Sequence, residues 1–178
     1  MTRSIASIGL AVLSVVMSAS NVAQERAEYR LDTGDVVRVI VFGHEDLSGE
    51  FEIDGTGRVS LPLVGDLSAG GLSLQELEAA ITDSLRPDYL LNPRVNAEIA
   101  TYRPFYIMGE VNAPGSYSYV NGMTVLNAVA LAGGYTSRAR RNEMEIRRGE
   151  DGTENVIVAA PETRVQPGDV IEVRERFF

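Results

Sequence analysis

The sequence predicts an α+β protein made of two small units. Three observations carry that reading. From Tyr29 onward, most of the chain falls into short segments of alternating apolar and polar residues, bounded by Gly, Pro, Asn and Asp. Only two stretches have helical spacing, one after Ser73 and one after Thr124. One turn-into-strand device stands near each end, TGDVVRV (33–39) and PGDVIEV (167–173). The 178 residues suit two small units, dividing near Tyr102.

The first 20 residues place Arg3 before an apolar run from Ile5 to Met17, followed by small residues. That run is shorter than the roughly 20 residues of a spanning helix and has the order of a secretory signal. Cleavage fits after Ser20 or after Ala23, giving a signal segment of 1–23. An uncleaved anchor is the alternative. No Cys follows the run, so no lipoprotein anchor is expected.

Next, Thr33-Gly34-Asp35 is a turn leading into a strand at Val36 to Phe42. The segment GEFEIDGTGRVSLPLVG reads as a hairpin. Phe51 and Ile53 alternate with acids, Asp54-Gly55 supplies a turn with positive φ, and Val59 to Val64 returns through Pro62. A calcium loop at Asp54 to Gly57 would need further acids at a spacing this segment lacks. Ser73 with Glu76 is a capping box. Leu74, Leu77, Ile81 and Leu85 then share a helix face, which Pro87 ends. Val95, Ala97 and Ile99 alternate along the next strand.

Arg103-Pro104 reads as a short, stiff junction. Phe105 to Met108 is a strand, followed by Gly109-Glu110. Asn112-Ala113-Pro114-Gly115 forms a β-turn, and SYSYV is the returning strand. Thr124 caps a helix from Val125 to Ala132 whose apolar run implies burial, and Gly133-Gly134 stops it. NEMEIRRG and ENVIVAA follow, joined at Asp151-Gly152. Pro167-Gly168-Asp169 opens the final strand.

Composition excludes much. There is no Cys and one His, His44, which removes disulfides, thiolate metal sites, a Cys nucleophile and the usual His-dependent triads. The net charge is −9, and all 16 cations are Arg. A nucleic-acid partner, which favours a basic surface, is not expected. Gly65 to Gly71 lacks the Lys and the spacing of a phosphate loop. Glu143 and Glu145 could form a glycosidase-like carboxylate pair, but acids alternating with apolar residues mark the wet side of a strand. No cofactor, metal or catalytic residue is expected.

Two local features could make contacts. Arg138, Arg140 and Arg141, with Arg147 and Arg148 nearby, form a cationic patch suited to an acidic polysaccharide or to acids of a neighbouring subunit. The bland reading is a solvated face interleaved with Glu143 and Glu145. Tyr117 and Tyr119 alternate on one strand and could stack on sugars, although core or interface packing explains them as well.

With these motifs in this order, the chain resembles the bacterial polysaccharide biosynthesis/export family, the Wza-like outer-membrane polysaccharide exporters, from Tyr29 to Glu175. Residues 24–102 are similar to the family's export domain. Residues 103–178 are similar to its soluble-ligand-binding β-grasp (SLBB) module. The resemblance implies that the turn residues serve shape. It also implies a homo-oligomeric ring through which capsular or extracellular polysaccharide passes unmodified, in the periplasm and associated with the outer membrane. The implied partners are an inner-membrane polysaccharide copolymerase and a separate outer-membrane channel protein. Family members begin with a lipidated Cys and end in an amphipathic helix. Neither feature is in this sequence, so a short form is expected. A periplasmic saccharide-binding or sensing module without a conduit is the alternative, and an envelope enzyme or its accessory subunit the third.

Overall fold

The structure is a computed structural model that describes residues 29–86, 88–150 and 153–176. The signal segment, the helix stop at Pro87 and the Asp151-Gly152 turn lie outside the described residues.

β1 (Val36–Val41) is the middle strand of a three-stranded antiparallel sheet, between β2 (Gly49–Glu52) and β5 (Val95–Thr101). Its Val37, Val39 and Val41 are buried, as period-2 alternation requires when one face meets a core. Arg38 points the other way and binds Glu50 at 2.6 Å and Glu98 at 2.8 Å, one from each neighbouring strand. β3 (Arg58–Leu61) and β4 (Gly65–Ser68) form a separate hairpin. α1 (Leu74–Leu85) lays Leu77, Ile81 and Leu85 on the core. Glu78 of that helix accepts the Ala97 N–H at 2.7 Å, so the helix supplies an acceptor to edge strand β5.

The second unit is a mixed five-stranded sheet with order β7-β6-β10-β8-β9. Its strands are β6 (Phe105–Gly109), β7 (Gly115–Tyr117), β8 (Met144–Glu150), β9 (Thr153–Ala159) and β10 (Val170–Val173), with β6 and β10 parallel. α2 (Val125–Leu131) packs Val125, Ala128 and Val129 into a core with Phe105, Ile107, Met144, Ile146, Ile171 and Val173. The opposite face is open, with Tyr106, Met108, Val156 and Val158 exposed. The fold class is α+β, two sheet-and-helix units with separate cores.

Several expectations are corrected. The hairpin read from Phe51 to Val64 does not form as one unit. β2 pairs with β1, while β3 turns at Pro62-Leu63 and pairs with β4. The left-handed backbone falls at Gly57, φ 74°, and not at Gly55. Asp54 instead organises the turn by accepting from Thr56 N–H (2.8 Å), the Thr56 hydroxyl (2.7 Å) and Arg58 N–H (3.1 Å). Gly115 is the first residue of β7, paired opposite Ile107, and not a turn residue. Tyr119 lies beyond that strand. The expected burial of the whole second helix also fails, because Leu126 and Leu131 are about half exposed. A seven-residue helix against one sheet covers only the face it presents.

Candidate functional site

The two turn-into-strand devices are built alike. In each, the Asp N–H bonds to the carbonyl three residues earlier, Asp35 to Asp32 at 3.1 Å and Asp169 to Gln166 at 3.2 Å. Each carboxylate reaches back to that same residue's N–H, at 2.9 Å for Asp32 and 2.7 Å for Gln166. The glycine between them has positive φ, 88° at Gly34 and 83° at Gly168, the third position of a type II turn. Both carboxylates are fully buried, so each needs a cation within reach. Asp169 receives the Arg148 Nε and Nη2 at 2.8 Å each, a bidentate pair. Asp35 receives Arg103, through its backbone N–H at 2.8 Å and its Nη1 at 3.1 Å.

Arg103 is therefore the joint between the units. Only Tyr102, Arg103 and Pro104 separate β5 from β6. The Arg103 side chain turns back to Asp35 in the first unit, while its Nε lies 2.7 Å from where a Cβ on Gly168 of the second would fall. A Cβ on Gly34 would lie 3.5 Å from the Arg103 Cβ. The two matching turns thus meet on one arginine. Around it, Tyr102 makes edge contacts with Tyr29 and Tyr119 at 5.2 Å each. The Tyr29 hydroxyl donates to Asp35 at 2.7 Å. Burial first, and that hydrogen bond second, push the Tyr29 phenol far above the ordinary tyrosine range.

The Gly109-Glu110 segment closes the end of β6. A Cβ on Gly109, φ 85°, would fall 2.2 Å from the Val173 carbonyl oxygen. Backbone approach at that point demands glycine. Glu110 accepts the Thr136 hydroxyl and Arg138 Nη2 at 3.2 Å. The hydroxyl bond first, then Arg138, holds the Glu110 carboxyl below the usual range. Gly133 and Gly134 both have positive φ after α2, and Gly133 O accepts the Asn112 amide at 2.7 Å. Pro114 precedes β7.

The structure divides the predicted arginine patch. Arg138 binds Glu110 and Glu175, and Arg140 binds Glu143 at 3.2 Å. Arg141 lies over the Tyr135 ring at 5.8 Å. Arg147 instead points to Glu172, and Arg148 turns inward to Asp169. Two residues that sequence reasoning missed join the patch. A bridge pairs Ala139 with Glu175, which brings Arg174 and Arg176 alongside Arg138 and Arg140. No local signal marks that contact. The carboxylates of Glu143 and Glu145 are each held by an arginine, Arg140 and Arg174 respectively. Tyr117 stacks on Phe105 and donates to Ala113 O at 2.6 Å, and Tyr117 and Tyr119 both pack, partly buried, against the core.

Comparison with known proteins matches residues 23–100 to the polysaccharide biosynthesis/export protein model and residues 104–158 to the SLBB domain. The chain is 35% identical over 170 residues to the exopolysaccharide production protein ExoF of Rhizobium meliloti, covering 86% of this chain and 38% of that protein. It is 30% identical over 132 residues to the polysialic acid transport protein KpsD of Escherichia coli, covering 72% and 24%. With the EPS I polysaccharide export outer membrane protein EpsA of Ralstonia nicotianae it shares 23% over 182 residues, covering 83% and 48%. The chain thus spans less than half the length of each of these curated relatives.

Proposed function

The chain belongs to the polysaccharide biosynthesis/export protein family, and from that premise we propose that it is a subunit of a conduit for capsular or extracellular polysaccharide. It works in the periplasm, associated with the outer membrane. Its subunits assemble head-to-tail into a ring, and polymer passes through without chemical change. An inner-membrane polysaccharide copolymerase stands below the ring and an outer-membrane channel protein above it.

The observation that carries this reading is the joint. The export-type unit and the SLBB-type unit are separated by three residues, and Arg103 of the connection is bound to buried Asp35. A ring of two-tier subunits needs a fixed angle between tiers, because any swing repeated around the ring would prevent closure. A buried charge pair beside two positive-φ turns supplies that fixity. The tier-setting residues do no chemistry, which suits a conduit whose cargo leaves unaltered.

The alternative, a saccharide-binding or sensing module with no conduit, draws on the arginine-bearing loop at 139–143. Deleting the gene and measuring polysaccharide outside the cell and within the envelope separates export from sensing. Loss of external polymer with retention inside, restored by complementation, is expected. Unchanged secretion with no second family member present overturns the export reading. Electron microscopy of the assembled protein tests the ring.

A further inference from the structure

Residues Ala139 to Glu143, with Arg176, line a surface depression of about 580 Å³. The depression is open to solvent and its lining is mainly polar. The loop that carries it is anchored, not loose. Arg140 N–H donates to Arg174 O at 2.8 Å, Arg176 N–H donates to Arg138 O at 2.9 Å, and Ala139 is buried. A binding loop held by a rigid scaffold keeps its side chains in place before the ligand arrives.

The lining is three arginines, Asn142, Glu143 and one small apolar residue, on a protein whose net charge is −9. Arg140 is held by Glu143. Arg141 has its guanidinium carbon over the Tyr135 ring, 5.8 Å from the centroid, and among the described residues no carboxylate pairs with it. A guanidinium without a carboxylate partner keeps its fork of N–H donors, which matches a carboxylate bidentately. Asn142 beside it offers both a donor and an acceptor to a hydroxyl. A protein partner would need an apolar centre to bury, and this lining has only Ala139 to give.

We infer that this depression binds carboxylate-bearing sugar units of an acidic polysaccharide, with the Arg141 fork on the carboxylate and Asn142 on a neighbouring hydroxyl. The inference rests on the export reading and deepens it by naming the charge class of the cargo. Contact of this kind lies at an open surface, where bound polymer can still exchange with solvent and move on.

The test is isothermal titration of the protein with oligogalacturonate and with dextran of equal length. Oligogalacturonate is expected to bind in a salt-sensitive manner, while dextran gives no heat. The double substitution Arg140→Ser with Arg141→Ser should weaken binding about tenfold or more, since charge-assisted hydrogen bonds are the strong ones. Arg141→Lys, which keeps the charge and loses the fork, should lie between; it also serves if the double variant does not fold, as thermal melting would show. Absence of oligogalacturonate binding, or binding untouched by both variants, overturns the inference. So does a double variant that loses self-association while sugar binding is absent throughout, which would give the patch to a neighbouring copy. The export reading fails separately, by unchanged secretion on gene deletion, whatever the titration shows.

Discussion

Arg103 lies in the connection between the two units and Asp35 in the first, and the arginine's backbone N–H and its Nη1 both bind that one buried carboxylate, at 2.8 and 3.1 Å. The Asp35 side chain is 0% exposed and the Arg103 side chain 17%. A pair this enclosed contributes little net energy when intact, but removing one partner strands the other. Arg103→Ala keeps the backbone N–H on Asp35 but removes the countercharge, and should destabilise the protein by about 3 kcal/mol, the lower end for a broken buried pair. Urea denaturation followed by circular dichroism measures it. The double variant Arg103→Ala with Asp35→Ala should cost less than the sum of the two singles, because the stranded charge is gone. Additive costs would mean that the pair does not couple the units.

Three glycines with nearly equal positive φ separate backbone strain from crowding. Gly122 has φ 82° and open space where a Cβ would point. Alanine there meets only the left-handed penalty of roughly 1–2 kcal/mol. At Gly168 the new methyl would press on the Arg103 Nε, a side chain already tied to Asp35. At Gly109 it would strike the Val173 carbonyl, part of the backbone that β6 and β10 share. Melting temperature should fall least for Gly122→Ala, further for Gly168→Ala and most for Gly109→Ala. Equal falls would show that φ alone sets the glycine requirement.

What the sequence revealed follows the range of the interactions involved. Both helix starts were legible, because Ser73 with Glu76, and Thr124 with Asn127, bond within one turn. Thr124 was recognised as a cap; its reciprocal partner Asn127 was not, since the usual box has an acid or Gln there. β4 escaped notice because Gly65 to Ser68 carries Leu67 as its only large apolar residue, too little for an alternating pattern. The likeness of the two Gly-Asp turns was visible in the sequence. That Arg103 sits against both was not, since 16 arginines offer no way to choose the partner of a buried acid. The contact of residues 138–140 with 174–176 is likewise a product of sheet order, which places β10 beside β8.

Glu110 gives a pH prediction with a definite sign. Hydrogen bonds from Thr136 and then Arg138 hold its folded pKa below the ordinary value of 4.5. A depressed carboxyl stabilises the fold above its unfolded pKa, and that contribution is lost as pH falls through the folded one. The loss thus lies on the acid side of 4.5. Thr136→Val removes the larger cause and should raise the Glu110 midpoint towards the ordinary value. Arg138→Ala should raise it less. Carboxyl carbon shifts followed by NMR across the acid range read each midpoint directly. An ordinary midpoint in the unsubstituted protein would refute the assignment.

Leu63 stands at the tip of the β3–β4 hairpin with φ 66°, left-handed for a residue that seldom adopts it, and with 55% of its surface exposed. Its neighbour Val64 packs on the core and Leu63 does not. An exposed leucine in strained backbone is poorly placed for stability alone, since asparagine tolerates that conformation at lower cost. Leu63→Asn should therefore relieve part of the left-handed penalty and stabilise the isolated subunit by up to about 1 kcal/mol, read as a small rise in melting temperature. If the hairpin tip is a contact between subunits of the proposed ring, the same substitution should weaken self-association in sedimentation experiments, so that stability and assembly move in opposite directions. A more stable subunit that assembles as before removes the hairpin tip from the interface and leaves its strain without a function. A less stable one shows that Leu63 packs more than its exposure indicates.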